Sequence, residues 1–415
     1  MMNEVLVTND AVIFGIIMLI LGFVFYTSSS ENPIWKKFYS VVPALLMCYF
    51  LPSLLGTFGI IDPDSSKLYF VASRYLLPAS LVLLTISVDL KEIVKLGPKA
   101  LIMFFTATVG IIIGGPIAIL IFSAVAPDVI SAPPPNEVWR GMTTIAGSWI
   151  GGGANQAAMK EVFDVNGELF SKMVAVDILV GNTWLGLLLA GIGYTKLIDK
   201  KLKADSSAIE SLKNKMDAYQ SSISRMPSLT DLMLILMVGF ISTGMAHFFS
   251  DLIAPFIAEN FPYLDKYSLT SGFFWLVVLA TTFGVVLSFT KAKELEGAGA
   301  SKIGSVFIYI LVATIGMHMD IMAVFDDPGL FLVGITWMVI HVTLLLIVAK
   351  LIKAPYFFVA VGSTANVGGA ASAPVVAAAF HPALAPVGVL LAVLGYVLGT
   401  YGAWLCGILM GMVSN

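Results

Sequence analysis

Charged residues are scarce in this chain. Asp, Glu, Lys and Arg make up 12% of its 415 residues, against about a quarter in ordinary soluble domains. Cysteine is nearly missing: Cys48 and Cys406 each sit inside an apolar run, with no Cys-x-x-Cys pair. That excludes a disulfide framework or a cysteine metal site and leaves two small core hydrophobes. There is no Gly-x-x-x-x-Gly-Lys-Ser/Thr loop for using ATP, no His-Glu-x-x-His pair and no glycine-flanked aspartate pair. Neither a primary pump nor an enzyme is therefore expected. No basic residue precedes the first apolar run, where Glu4 and Asp10 stand instead, so a cleaved signal peptide is not expected. Nucleic acid is not an expected partner.

What fills the chain is apolar. Hydrophobic residues reach 58% and the mean hydropathy is +0.93. Several runs attain the roughly 20 residues that a bilayer requires. The expected fold class is all-α integral membrane, with about 10 transmembrane helices plus two re-entrant hairpins. The helices are expected near residues 11–26, 38–58, 69–88, 100–126 and 170–197, then 229–254, 271–290, 304–325, 329–349 and 383–413. Residues 198–228 are polar and lysine-rich and cannot lie in hydrocarbon. Leu202, Ile209, Leu212 and Met216 recur there at helical spacing, which predicts a short amphipathic helix on the membrane surface.

The two halves share marks in the same order. Thr85-Ile86 answers Thr314-Ile315, Asp89 answers Asp320, Gly151-Gly152 answers Gly368-Gly369, and Gly181 and Trp184 answer Gly399 and Trp404. This predicts an internal repeat: residues 1–197 with a hairpin at 138–163, and residues 229–415 with a hairpin at 354–380. With five spans per half, all but six of the 23 lysines and arginines fall on the side of the 198–228 linker. The six are Lys67, Arg74, Arg140, Lys160, Lys172 and Lys266. Basic loops stay cytoplasmic, so the linker is expected inside and both termini outside the cell (inner) membrane. An odd number of spans inverts the second repeat, a common build of secondary transporters.

Two glycine-rich stretches carry the functional argument: Gly147-Ser-Trp-Ile-Gly-Gly-Gly-Ala-Asn-Gln-Ala-Ala-Met159 and Gly362-Ser-Thr-Ala-Asn-Val-Gly-Gly-Ala-Ala-Ser-Ala-Pro374. Irregular backbone at membrane depth is tolerated only inside protein or against a wet cavity. Hairpin tips there would offer helix N-termini to an anion and free carbonyls to a cation. The candidate solute-binding residues are Ser148, Gly151, Gly152, Gly153, Asn155, Gln156, Ser363, Asn366, Gly368, Gly369 and Ser372. The competing reading is that the small residues only let helices pack closely.

Asp177 lies about 10 Å deep in the fifth helix, where an acid costs ~2.5–3.5 kcal/mol and is therefore paired or functional. It is the candidate for coupling to sodium or protons, with Asn155, Asn182, Thr183 and Thr400. Asp177 and Asn182 stand about 140° apart on a straight helix, so they share a site only if Gly181 opens the turn. The bland alternative is an interfacial acid paired with Lys172 or Lys160. Asp89 and Asp320 read as solvated helix ends, and His318 either as a proton-relay partner for Asp320 or, more often for a lone membrane histidine, as simply hydrogen-bonded.

This arrangement resembles the sodium-coupled symporters for 2-hydroxycarboxylates and for glutamate. The run from Gly147 to Met159 with Asp177 downstream is also similar to a widespread family of uncharacterised multi-spanning membrane proteins, a domain of unknown function. The symporter resemblance implies a scaffold domain, an elevator-type transport domain containing both hairpins, and a homodimer. By position it carries over to Gly151, Gly152, Gly153, Asn155, Gly368 and Gly369. The second loop lacks a third glycine, and no arginine follows Arg225. The basic residue that carboxylate symporters place near that loop is therefore missing, which leaves amino acids, short peptides and other small polar solutes open. The expected function is secondary active transport of a small polar or anionic organic solute, with sodium possible as the coupling ion. An ion-only channel or cation/proton exchanger using the same groups is the alternative.

Overall fold

The computed structural model describes residues 6–39, 42, 44–204, 209, 212, 226–319, 327–381 and 384–414. Its elements there are helical. Eight helices among the described residues are long and apolar enough to cross a membrane, or ten if each of two bent pairs is one span. Helix α1 (Asp10–Ser28) buries the single stripe Ile13, Ile17, Leu21 and Val24 and leaves Val12, Leu19 and Phe23 exposed. A helix apolar all round, with one buried stripe, belongs in lipid at the rim of a bundle.

The remainder of the first half is α2 (Pro33–Tyr39), α3 (Ala44–Thr57), α4 (Leu68–Thr85), α5 (Leu90–Lys95), α6 (Pro98–Val125), α7 (Val138–Val162) and α8 (Gly167–Ile192). A short α9 (Thr195–Leu202) follows. The second half holds α10 (Leu229–Asn260), α11 (Gly272–Ser288), α12 (Ala300–Met317), α13 (Gly329–Leu351), α14 (Tyr356–Val367), α15 (Gly369–Phe380) and α16 (Ala385–Val413).

Three expected spans differ in detail. Residues 38–58 are not one rod, since α2 and α3 are bent 89° from each other. The span expected at 170–197 ends at Ile192, and α9 begins a separate helix. The span expected at 304–325 runs as a helix to Met317, while residues 320–326, Asp320 among them, lie outside the described residues. Of the residues expected on a surface helix in the linker, Leu202 and Leu212 are buried and Ile209 is partly buried against a core cluster drawn from both halves of the chain, while Met216 lies outside the described residues.

Packing divides the helices into two bundles. Helices α1, α3, α4, α10, α11 and α12 pack chiefly on one another, as do α6, α7, α8, α13, α14, α15 and α16. Each bundle thus draws on both halves of the chain.

Both glycine-rich stretches fold back on themselves. A straight 25-residue helix would be about 37 Å long, yet the rings of Trp139 and Phe163, at the two ends of α7, are 5.8 Å apart. The reversal is at Gly152 (φ 74°, ψ −174°), a backbone region open essentially to glycine alone. The returning arm brings Asn155 against Gly147 so closely that no side chain would fit there. In the second hairpin α14 and α15 meet at Gly368-Gly369, with Gly369 at φ 56°. The Tyr356 and Phe380 rings at its open end are 6.0 Å apart.

Helix α16 joins the hairpins. Its Gly411 lies on Trp139 and its Gly407 on Thr143 and Phe163, at the open end of the first hairpin. Gly399 meets Gly151 and Asn155 at the tip. Gly395 touches the carbonyls of both Ile150 and Ala365, and Gly388 abuts Ala373. The hairpins therefore run along α16 from opposite ends, and their tips meet at its middle. Backbones approach this closely only where side chains are missing.

Candidate functional site

The site grows from Asp177 on α8. The carboxylate is 7% exposed and is reached from the first hairpin by three donors. Ser148 Oγ donates to Oδ2 at 2.7 Å, Gln156 Nε2 to the same oxygen at 2.8 Å, and Trp149 Nε1 to Oδ1 at 2.7 Å. Ser148 and Trp149 lie before the Gly152 reversal and Gln156 after it, so the fold-back is what brings the three onto one acid. Hydrogen bonds to a charged group contribute ~1.5–3 kcal/mol each, enough together to offset the insertion cost of the acid. The lysines of the bland alternative are engaged elsewhere. Lys172 pairs with Glu168 at 2.9 Å and Asp327 at 2.5 Å, and Lys160 donates to Tyr69 at 2.8 Å and Glu161 at 3.3 Å.

Asp177 lines a cavity of about 260 Å³ at the seam between the two bundles. One bundle supplies Ser148, Asn182 and, from the second hairpin's tip, Thr364, Gly368 and Ser372. The other supplies Ala44 and Leu45 of α3 and Tyr309 of α12. Asp177 and Asn182 both reach this space although α8 runs unbroken through Gly181.

The remaining expected site residues lie elsewhere. Asn155 and Thr400 are buried and bonded to each other at 2.7 Å, and Thr400 Oγ1 also lies 3.0 Å from Thr281 Oγ1. Thr183 is exposed and lines an apolar groove with Leu187 and Val339. Gly151 is packed on α16, while Gly152 and Gly369 carry the positive φ angles of the two reversals. Gly153 stands by Ile308. Asn366 is bonded to α6.

Ser363 belongs to a buried chain that sequence reasoning missed. Trp184 Nε1 donates to Ser363 Oγ at 2.8 Å, which lies 2.8 Å from His341 Nε2. His341 Nδ1 lies 3.1 Å from the Ala107 carbonyl. A carbonyl only accepts, so Nδ1 carries the proton, Nε2 accepts, and the serine hydroxyl donates to it. Trp149 was missed as the third donor to Asp177. The signal for both was available: a buried indole N–H or imidazole in an apolar segment must find a partner.

At its open end the first hairpin is fastened to α4. Arg74 Nη1 donates to Glu161 at 3.0 Å, Tyr69 hydrogen-bonds the same carboxylate, and the Arg74 guanidinium stacks over Phe273 at 4.3 Å. His318 Nδ1 lies 3.0 Å from the Thr314 carbonyl and its ring packs on Tyr69 at 5.2 Å. Asp89, expected as a solvated helix end, caps α5 through the Lys91 and Glu92 amides and pairs with Lys293 at 3.0 Å.

Apolar helices of spanning length, folded-back hairpins and a buried acid define an all-helical integral membrane protein. The chain belongs to the family described as "Protein of unknown function (DUF819)", which matches residues 15–413. It is similar to the "Uncharacterized membrane protein YjcL" of Bacillus subtilis (strain 168), at 24% identity over 349 residues, 82% of this chain and 83% of that protein.

Proposed function

We propose that this protein is a secondary active transporter that carries a small polar or anionic organic solute by alternating access, coupled to sodium or protons. The observation behind this reading is the meeting of two helical hairpins, run in from opposite ends of α16, beside a cavity with one buried carboxylate. In a bilayer these are re-entrant hairpins from opposite faces, and the two halves of the chain are inverted repeats. The bundle of α1, α3, α4, α10, α11 and α12 serves as scaffold and dimer interface, while the bundle with both hairpins slides against it as an elevator. The cavity at their seam, with walls from both, is where such a carrier needs its solute. The linker is cytoplasmic, the termini are outside, lipid and the solute are the partners, and no chemical reaction is catalysed.

The alternative is an ion-only channel or exchanger acting at the same carboxylate, because both need a midplane polar group in wet surroundings. Uptake into proteoliposomes under an imposed sodium or proton gradient separates them. Gradient-driven accumulation of an organic solute is the expected result. Ion flux with no solute requirement would move the assignment to the alternative, and neither activity would end the carrier reading.

A further inference from the structure

We infer that the solute presents a positively charged amino group to Asp177, so that the cargo is an amine, amino acid or short peptide rather than a simple carboxylate. This deepens the carrier reading above and rests on it. The first ground is charge. Ser148, Trp149 and Gln156 all donate to Asp177, an arrangement that suits the anion, yet no lysine, arginine or histidine pairs with it among the described residues. Among the described residues, no basic side chain lines the cavity. A carboxylate-only solute would face a like charge in a largely buried site, where Coulomb repulsion is stronger than in water, whereas an ammonium would be attracted.

The second ground is acceptor capacity. A carboxylate offers about four acceptor positions. Two donors occupy Oδ2 and one occupies Oδ1, so Oδ1 keeps a position for a further donor. A bare metal cation fits poorly, because it asks for several converging oxygens while the Trp149 and Gln156 groups aimed at this acid are N–H donors. The third ground is size. A space needs only ~10–15 Å³ to hold a water, so about 260 Å³ is room for an organic molecule. Its Leu45, Leu185 and Leu188 walls suit an apolar body behind the amino group.

The test is thermal unfolding of the purified full chain with the twenty amino acids. Each apolar one is paired with the acid lacking its amino group and the amine lacking its carboxylate, for example leucine, 4-methylpentanoate and 3-methylbutylamine. At least one amino-bearing compound should raise Tm, at concentrations at least ten-fold below those at which its deaminated partner acts. Asp177→Asn should abolish that shift while Asp177→Glu keeps part of it. If Asp177→Asn does not fold, the ligand series on the wild type and Asp177→Glu decides. Equal stabilisation by the deaminated acid, an undiminished shift in Asp177→Asn, or no shift with any amino-bearing compound overturns the inference. Gradient-driven uptake of a deaminated acid would overturn it while leaving the carrier reading intact. Amine binding without any uptake would do the reverse.

Discussion

Asn155 and Asn366 are held in the same way, one in each hairpin. Each amide Nδ2 donates to the carbonyl four residues back in its own hairpin, Gly151 or Gly362, both at 3.0 Å. Each also donates at 3.2 Å to a carbonyl of a neighbouring long helix, Tyr396 on α16 or Phe104 on α6. Each Oδ1 accepts from the threonine one turn further along that helix, Thr400 at 2.7 Å or Thr108 at 2.8 Å. Both amide hydrogens are committed, so these asparagines pin the hairpins to their supports.

The pinning has an energetic consequence. Asn155→Ala and Asn366→Ala each remove three hydrogen bonds of a buried amide, though Thr400 keeps Thr281 and Thr108 keeps the Phe104 carbonyl, and should cost about 1–3 kcal/mol. Thr400→Val and Thr108→Val remove one donor apiece and should cost less, ~0.5–1.5 kcal/mol. Thermal unfolding of the four variants in detergent checks the order; larger losses in the threonine variants would reverse the assignment.

Trp149 and Asp177 should be coupled energetically. Trp149→Phe, Asp177→Asn and the double variant form a cycle whose interaction term is expected to exceed about 1 kcal/mol. The same cycle with Trp184→Phe, whose indole serves Ser363 instead, should come close to additive. Two additive cycles would show that the indole bond does not hold the carboxylate.

Gly152→Ala should lower stability by about 1–3 kcal/mol and slow any transport, since its φ of 74° with ψ of −174° suits glycine alone. Gly153→Ala is the control: a methyl there would meet nothing nearer than Ile308 at 3.9 Å. Equal effects from the two would argue against a reversal at Gly152.

Asp89 sets a pH dependence outside the spans. Burial alone would raise its pKa, but the hydrogen bonds from Lys293 and the Glu92 and Lys91 amides, with the lysine's charge, outweigh this and hold it below the ordinary value. A depressed folded pKa means stabilisation present above the unfolded value of about 3.9 and lost as pH falls through the folded one. Wild-type stability should therefore drop below about pH 4. Asp89→Asn should start lower at neutral pH and lose less across that window; parallel curves would rule the residue out.

The apolar runs made the helices legible, because each expected span has a counterpart within a few residues or is broken at an identifiable place. The hairpins were legible in their glycines, since the reversals fall on Gly152 and Gly369, and the Gly152 backbone is open essentially to glycine alone. Asp177 stood out as an acid inside an apolar run, and it is buried and hydrogen-bonded. The partners of these residues were not. Trp149 counts as apolar in any hydropathy window, and its value to Asp177 depends on the fold-back, which joins residues from two arms to a third helix. Helical angle likewise misjudged Asn182, which shares the Asp177 cavity without any opening of α8, because a cavity can span more of a helix face than one pair of contacts. The pairings of Asn155 with Thr400 and Asn366 with Thr108 join opposite halves of the chain, beyond what local spacing can express.

The glycine track along α16 bears on how the molecule is made. Gly388, Gly395, Gly399, Gly407 and Gly411 each admit a neighbour's atoms where a side chain would stand. Each costs a helix roughly 1 kcal/mol relative to alanine, so α16 is a weak rod until it is clasped. The first hairpin, in turn, lacks its backing until α16 emerges from the far side of the linker. The close packing at the middle of this protein is therefore complete only once its last helix has been made.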